Sequence, residues 1–273
     1  MYKRQAAALG RDDEAKEYEE LFVQIKDAFN EAYVSDDARI KGETQTCYLL
    51  GLHFDLLPVD KRERAAEHLV EKVKAKNWHL STGFVGLSYL LPTLTDTGHL
   101  DVAYRLLAND TFPSWGYSIK NGATTIWERW DGWTEEKGFQ DPGMNSFNHY
   151  AFGSVGRWLF NTVAGIDTDG PGYKQIIIRP MPGGITSAKA SYDSINGKIV
   201  SDWRLEDGTF KLDVTIPANT TATVYVPAES AKSVTESGRP VTEAKGVRFL
   251  RIKQGTAVFA VGSGNYEFVS KVP

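Results

Sequence analysis

The 273-residue sequence predicts a two-domain α+β protein in which helical hairpins are followed by an antiparallel β-sandwich. Apolar residues recur every three or four positions up to about residue 164, a spacing typical of amphipathic helices. After Gly170-Pro171-Gly172 the period changes to two, which is typical of strands. Hydrophobic residues make up 41% of the chain, enough to bury a core in each domain. We therefore predict a helical domain over residues 1–170 and a β-sandwich over residues 171–273.

The helical region contains six predicted helices, which correspond to three hairpins. Asp12 and Asp13 are N-cap candidates for the first helix, and Pro58 ends the second. The last helix is predicted to begin at Asn145, which places His149 in its first turn. The predicted helices cover about residues 12–33, 43–57, a segment that starts at 60, 83–96, 98–109 and 145–164.

Tight turns divide the second domain into about eight predicted strands. Asn196-Gly197 and Asp207-Gly208 are dipeptides that favour two-residue hairpins. Pro217-Ala218-Asn219 reverses the chain between two segments of alternating apolar residues. The pattern predicts an antiparallel meander that closes into a sandwich.

Composition and charge exclude several classes of function. The net charge of −4 argues against nucleic acid as the main partner, because phosphate binding needs a basic field. No apolar run reaches the roughly 20 residues of a bilayer span, so no membrane partner is predicted. The single cysteine, Cys47, excludes an internal disulfide, and the histidines lack metal-ligand spacing. Without phosphate-loop or dinucleotide motifs, we predict no metal site and no cofactor.

The N-terminus does not resemble a secretory signal. Met1-Tyr2-Lys3-Arg4 leads directly into a charged helical pattern without an apolar core. The protein is expected to be cytoplasmic if Met1 is the native start, and the compartment is otherwise open.

The connection over residues 110–143 is the candidate functional segment. It exceeds thirty residues in a domain whose other loops are short, and ordered loops of that length usually carry function. Aromatic planes are the surfaces on which sugar rings stack. The segment holds four of the seven tryptophans, namely Trp115, Trp127, Trp130 and Trp133.

Glu128, between Trp127 and Trp130, is the candidate general base. A carboxylate that is partly desolvated among indole rings accepts a proton more readily. The alternative is that Glu128 pairs with Arg129 or a nearby lysine and that the tryptophans form the core of the loop. His149 is either a donor to a substrate hydroxyl or a structural residue, and the residues alone leave both interpretations open.

Four motifs resemble the bacterial α-L-rhamnosidase family of glycoside hydrolases. They cover nearly all of the chain in the order of the family: HLSTGFVG (79–86), GATTIWERW (122–130), MNSFNHY (144–150), and PGYK (171–174) leading to IRP (178–180). The resemblance implies that residues 1–170 are the C-terminal half of an (α/α)6 barrel and that a β-sandwich follows.

The resemblance also implies an inverting hydrolysis that releases terminal α-L-rhamnose from glycosides or polysaccharides. Glu128 takes the place of the general base, and His149 that of a histidine lining the rhamnose pocket. Trp127, Trp130 and Trp133 resemble walls of that pocket. The family's general acid belongs to an Asp- and Arg-rich segment in the first half of the barrel, and no such segment occurs here. We therefore expect the chain to begin within the catalytic domain, to lack the acid, and to turn over an aryl rhamnoside weakly or not at all.

Half a barrel exposes inner helix faces, and large apolar patches are rare on isolated proteins. We therefore expect either that two copies pair or that another polypeptide supplies the absent half. Two other functions are compatible with the sequence. One is a non-catalytic fragment or degenerate relative that binds rhamnose-containing glycans. The other is a different helical-toroid hydrolase acting on uronic acid-containing or trehalose-like sugars, because fold alone does not decide substrate.

Overall fold

A computed structural model describes residues 2–272, which divide into two compact units between Ser154 and Val155. The first unit is mainly helical and the second consists mainly of β-sheets. Helices followed by the sheets of a sandwich are the predicted fold class. The domain boundary at residue 170 stays a prediction.

The first unit contains seven α-helices among its described residues. None of the helices within residues 2–272 is both long and apolar enough to cross a bilayer. The helices are α1 (Tyr2–Ala8), α2 (Asp12–Tyr33), α3 (Gln45–His53), α4 (Val59–Lys74), α5 (Phe84–Asp96), α6 (Leu100–Ala108) and α7 (Trp115–Lys120).

The core of the helical unit lies between α3, α4, α5 and α6. The apolar stripe predicted for α4 is buried, and its spacing of three and four places it on one face of the helix. The Thr44 hydroxyl accepts a hydrogen bond from the Cys47 N–H at 3.2 Å and caps α3. The α4 stripe consists of Ala65, Ala66, Leu69, Val70 and Val73.

The helix predicted over residues 145–164 is wrong in its first half. Residues 145–150 form bends and irregular structure, because backbone groups of residues 146 and 149 hydrogen-bond to residues 126–128 rather than within a helix. His149 therefore does not lie in a helical first turn. The helical part comprises a 3-10 turn (Ala151–Ser154), α8 (Val155–Trp158) and a π-helical turn (Leu159–Val163).

Two sheets form the second unit. The six-stranded sheet has the order β10-β9-β13-β7-β6-β5, and the five-stranded sheet has the order β11-β12-β8-β4-β3. Strand β4 pairs with β8 in parallel, and the other described pairs are antiparallel. The strands are β3 (Ile166–Thr168), β4 (Gln175–Ile178), β5 (Ser187–Ser194), β6 (Gly197–Glu206), β7 (Thr209–Ile216), β8 (Thr221–Pro227), β9 (Val234–Glu236), β10 (Arg239–Pro240), β11 (Val247–Lys253), β12 (Thr256–Val261) and β13 (Gly264–Lys271). The first unit adds a two-stranded hairpin of β1 (Trp133–Thr134) and β2 (Gly138–Phe139).

The hairpin turn predicted at Asp207-Gly208 is confirmed, and it joins β6 to β7. The turn predicted at Asn196-Gly197 lies one residue earlier, because Gly197 pairs with Ser194 and leaves Ile195 and Asn196 between β5 and β6. Asp207 and Gly208 have φ values of 47° and 67°, as a type I′ turn requires. Alternate residues of both sheets then face one shared apolar core.

Gly165 links the π-helical turn to β3 at a position where no side chain fits. Its φ is +80°, and a Cβ atom would lie 2.1 Å from the backbone nitrogen of Pro180. We expect Gly165→Ala to lower the free energy of unfolding by roughly 2–3 kcal/mol, the cost of a strained backbone. Urea unfolding followed by circular dichroism measures this.

Gly156 provides the matched control, because a Cβ atom there meets nothing within 4 Å and the residue lies in α8. We expect Gly156→Ala to be neutral or to stabilise the protein by about 0.5–1 kcal/mol. Equal effects of the two variants would contradict the proposed constraint at Gly165.

Candidate active site

The candidate base is held by two segments that lie side by side, residues 126–128 of the long connection and residues 146–149 after it. The Glu128 N–H donates to the Ser146 carbonyl at 2.8 Å, and the His149 N–H donates to the Ile126 carbonyl at 2.8 Å. Because the two segments satisfy each other's backbone groups, they fix residues far apart in sequence. Glu128 and His149 therefore share one small scaffold.

A cavity of about 450 Å³ opens beside Glu128. This volume is within the roughly 300–1,000 Å³ typical of small-molecule sites. We call it the Glu128 cavity. It is lined by Leu80, Ser81, Thr82, Gly83, Phe84, Phe112, Pro113, Glu128, Arg129, Trp130, Asp131 and Phe152.

The half-buried carboxylate of Glu128 is oriented through one oxygen. Its Oε2 accepts a hydrogen bond from the Ser146 N–H at 2.7 Å. Its Oε1 accepts none from any residue within 2–272, and no described cation lies within 4.0 Å of the carboxylate. One oxygen is thus held by the backbone while the other is available to a water molecule or a ligand.

Arg129 pairs with Asp131 and not with Glu128. The guanidinium donates from Nε to Oδ1 and from Nη2 to Oδ2, both at 2.9 Å, in a bidentate ion pair. The hydrogen bonds from Arg129 hold the pKa of Asp131 below its usual value, and Asp131 in turn raises the pKa of Arg129. Asp131 is therefore ionised at neutral pH. The alternative in which Arg129 neutralises Glu128 is not the arrangement observed.

Trp130 forms one wall of the Glu128 cavity. Its ring stacks on Phe152 with centroids 4.1 Å apart, and its indole N–H donates to the Thr82 carbonyl at 2.9 Å. Trp115 meets the Trp130 ring edge-on at 5.4 Å and donates its own N–H to the Phe152 carbonyl at 2.9 Å. The wall is thus fixed by both ring contacts and hydrogen bonds.

His149 stacks on Phe84, which lines the Glu128 cavity, but is not itself among the residues that line it. Its ring is parallel to Phe84 at 5.0 Å and nearly parallel to Tyr150 at 5.1 Å. Nδ1 accepts the Ala151 N–H at 3.3 Å, which favours the neutral tautomer with the proton on Nε2. Nε2 has no hydrogen-bond partner in the described part of the chain. The ring can therefore donate to a ligand.

Trp127 and Trp133 do not line the Glu128 cavity. Trp127 is buried, with 7% of its surface exposed, and it meets Phe147 edge-on at 5.1 Å. Both tryptophans line a separate cavity of about 280 Å³. Trp133 is therefore separated from Trp130, whereas Trp127 also lines a further cavity of about 240 Å³ together with Trp130.

Sequence reasoning missed several residues of the Glu128 cavity. Asp131 and Phe152 had no motif that marked them, whereas Thr82 and Phe84 lie in the quoted segment 79–86. Phe84 begins α5 and is 47% exposed, which presents its ring at the cavity. Within residues 2–272 no group of three or more His, Cys, Asp or Glu side chains could hold a metal ion.

Comparison with known families identifies the helical unit. Residues 1–163 match the bacterial alpha-L-rhamnosidase 6 hairpin glycosidase domain. The chain belongs to the bacterial α-L-rhamnosidase family. Residues 165–240 match the C-terminal domain of bacterial α-L-rhamnosidases, which agrees with the second unit. The family and the fold predicted from the motifs are thus confirmed.

Curated relatives of the α-L-rhamnosidase family are much longer than this chain. An α-L-rhamnosidase of Streptomyces avermitilis is 49% identical over 266 residues, which is 97% of this chain and 25% of the relative. One from Formosa agariphila is 38% identical over 97% of this chain and 29% of the relative. The chain spans about a quarter of the length of these glycoside hydrolases.

Solved α-L-rhamnosidase structures have the same fold. The Streptomyces avermitilis enzyme complexed with L-rhamnose gives a TM-score of 0.92 at 49% identity, over 98% of this chain and 25% of that one. The Dictyoglumus thermophilum enzyme gives a TM-score of 0.87 at 34% identity, over 98% of this chain and 30% of that one. The Aspergillus terreus enzyme gives a TM-score of 0.85 at 32% identity, over 98% of this chain and 28% of that one.

Proposed function

We propose that this chain is the base-bearing part of an inverting α-L-rhamnosidase that releases terminal α-L-rhamnose from glycosides or polysaccharides. The observation that carries the proposal is the geometry of Glu128. A backbone N–H orients one carboxylate oxygen, while the other is open beside an aromatic-walled cavity. The membership of the chain in a family of rhamnose-releasing enzymes supports the same substrate.

In the proposed reaction, Glu128 Oε1 accepts a proton from a water molecule. The oxygen of that water attacks the anomeric carbon of rhamnose on the face opposite the leaving group. The glycosidic C–O bond breaks, and its electron pair goes to the leaving oxygen, which takes a proton from a general acid. Inverting enzymes place the two carboxyl groups about 6.5–9.5 Å apart to leave room for the water. The sugar is released as β-L-rhamnose.

Other residues of the site bind and orient the sugar in this proposal. The Trp130 face stacks against the ring, and Nε2 of His149 donates to a hydroxyl. Trp127 and Trp133, which were expected to contact the same rhamnose, line a different cavity. Their contribution to rhamnose binding stays a prediction.

The general acid comes from outside this chain in our proposal. Asp131 is the other carboxylate of the Glu128 cavity. A general acid must carry a proton, whereas the ion pair with Arg129 keeps the pKa of Asp131 low and its carboxylate ionised. The longer relatives contain about three quarters of their length beyond the matched part. We propose that residues 1–170 form half of an (α/α)6 barrel and that the other half supplies the acid.

Helix α2 supports a missing half-barrel. None of its 22 residues is buried. Tyr18, Leu21 and Ile25, spaced three and four apart, are 38%, 48% and 51% exposed. An apolar stripe of this kind is normally covered. Additional barrel helices, from a longer polypeptide or a second chain, cover it in our proposal.

An activated substrate tests whether the chain carries the base. Departure of 2,4-dinitrophenolate needs no protonation, whereas an alkoxide must receive a proton. A chain with a base and no acid should therefore hydrolyse 2,4-dinitrophenyl α-L-rhamnopyranoside at least about 100-fold faster than methyl α-L-rhamnopyranoside, the lower range of a general acid's contribution. Proton NMR should show β-L-rhamnose as the first product. Formation of α-L-rhamnose first would contradict inversion, and equal rates on both substrates would contradict the missing acid.

Asp131→Asn should weaken the base through Arg129. The pKa of Asp131 is lowered, so the ion pair is present above about pH 4 and is lost as the pH falls through the lowered value. In the variant the guanidinium lacks its carboxylate partner, and Glu128 is the next carboxylate on the same segment. A carboxylate beside a cation gives up its charge less readily.

We expect Asp131→Asn to reduce turnover of the dinitrophenyl substrate roughly 10-fold at neutral pH. The Arg129→Gln/Asp131→Asn double variant removes the released cation and should recover most of the loss. If both variants were equally impaired, Asp131 would act through something other than Arg129.

A further inference from the structure

The second aromatic cavity is the one that Trp133 lines. Its volume is about 280 Å³, at the small end of ligand pockets and suited to one sugar ring. It shares no lining residue with the Glu128 cavity. The lining residues are Asn121, Gly122, Ala123, Thr124, Thr125, Trp127, Trp133, Phe139 and Phe147.

The tryptophans of the helical unit differ in what their indole N–H groups bind. Trp115 and Trp130 donate their indole N–H groups to backbone carbonyls at 2.9 Å. Trp127 and Trp133 donate to no residue in the described range, and both line the second cavity. Neither indole nitrogen is among the buried side-chain nitrogen and oxygen atoms that lack a partner, so both N–H groups reach solvent. They are therefore free to donate to a ligand oxygen in place of water.

The aromatic faces at this cavity suit a ring with C–H groups. Trp133 and Phe139 are direct cross-strand partners in the β1–β2 hairpin, and such partners project from the same side of a sheet. Phe139 is 74% exposed, and Trp133 makes no ring contact with a described aromatic side chain. Phe147 supports Phe139 edge-on at 5.5 Å. The cavity thus combines stacking faces with hydrogen-bond donors.

The hairpin that carries these rings is held in place before any ligand binds. The Asn145 side chain donates to the Gly132 carbonyl at 2.9 Å, and the Gln140 N–H donates to the same carbonyl at 3.1 Å. The Lys137 N–H donates to the Thr134 hydroxyl at 3.2 Å. A preorganised site loses less entropy on binding.

We infer that this cavity binds a neutral pyranose ring, independently of the chemistry at Glu128. Its lining holds no acidic or basic side chain, so a uronic acid would lose hydration of its carboxylate without gaining a cation. The sugar stacks on Trp133 and Phe139, and one of its oxygen atoms accepts the indole N–H of Trp127. The hydroxyl of Thr124 and the amide of Asn121 provide further polar contacts. A second sugar site would hold the chain on a polysaccharide while the Glu128 cavity takes a terminal residue.

Indole N–H signals in ¹H–¹⁵N NMR spectra report on the proposed donors directly, and Trp→Phe variants assign them. The probes are two neutral sugars, methyl α-L-rhamnopyranoside and methyl α-D-galactopyranoside, and one charged sugar, the uronate that corresponds to the galactoside. We expect saturable shifts of the Trp127 and Trp133 signals with at least one neutral sugar, and binding at least about 10-fold weaker for the uronate. Failure of both neutral sugars to move these signals would overturn the inference, and so would equal affinity for galactoside and uronate.

A second variant separates this site from the Glu128 cavity. Phe139→Leu alters a side chain that is mostly exposed, so the fold should persist. We expect it to weaken sugar binding seen at Trp127 and Trp133 roughly 10-fold, the size of one stacking contact. Shifts at Trp130, which lies in the Glu128 cavity, should be unchanged. Unaltered binding at Trp127 and Trp133 would overturn the inference, whereas loss of Trp130 shifts alone would count against the proposed rhamnosidase site.

Discussion

Glu128→Gln is expected to lower turnover of 2,4-dinitrophenyl α-L-rhamnopyranoside by about 10²–10⁴-fold, the usual contribution of a general base. The amide keeps the shape of the side chain and can still accept the Ser146 N–H through its carbonyl oxygen. It cannot take a proton from water. Because the leaving group needs no acid, the measured loss reports on the base. Affinity for L-rhamnose, measured by calorimetry, should change only a few-fold.

Glu136→Gln is the control for this substitution. Glu136 lies in the exposed turn of the β1–β2 hairpin and lines neither aromatic cavity. Turnover by the Glu136→Gln variant should equal that of the unsubstituted chain. A Glu128→Gln variant as active as this control would show that another group acts as base. Binding of rhamnose without hydrolysis by the unsubstituted chain would favour the non-catalytic glycan-binding alternative.

Trp203→Ala should be the most destabilising substitution in the sandwich, with a loss of about 3–5 kcal/mol of unfolding free energy. The indole is fully buried, and it stacks on Phe210 with centroids 5.9 Å apart. Its N–H donates to the Val163 carbonyl at 2.7 Å in the interior. The substitution leaves a cavity and a buried carbonyl without its donor. Urea unfolding followed by circular dichroism near 215 nm gives the value for the β-unit.

Ile195→Ala tests whether burial causes this loss. Ile195 lies in the turn between β5 and β6 and is 90% exposed, so its truncation should change stability by no more than about 0.5 kcal/mol. The stability loss of Trp203→Phe should fall between those of Trp203→Ala and Ile195→Ala, because phenylalanine keeps most of the apolar volume and loses the hydrogen bond. A Trp203→Ala variant as stable as Ile195→Ala would show that the sandwich repacks around the cavity.

Much of the fold follows from local periodicity. The α4 stripe and the Asp207-Gly208 turn were identified because side chains three and four apart share a helix face, and because two positive φ angles favour this dipeptide. The same method failed at residues 145–150. There the apolar spacing resembles a helix, but the backbone bonds to residues 126–128, which are distant in sequence. Local patterns carry no information on such pairing.

The sequence by itself determined the family, the change from helices to strands along the chain, and Glu128 as the candidate base, because these depend on motifs and short-range spacing. Only the tertiary structure decided which side chains share a cavity. It placed Trp130 and Asp131 beside Glu128, and Trp133 with Phe139 in a second cavity. It also showed that Arg129 pairs with Asp131, which leaves one oxygen of Glu128 open. Which side chains contact one another depends on side-chain direction and on hydrogen bonds between residues distant in sequence, and neither follows from the order of residues along the chain.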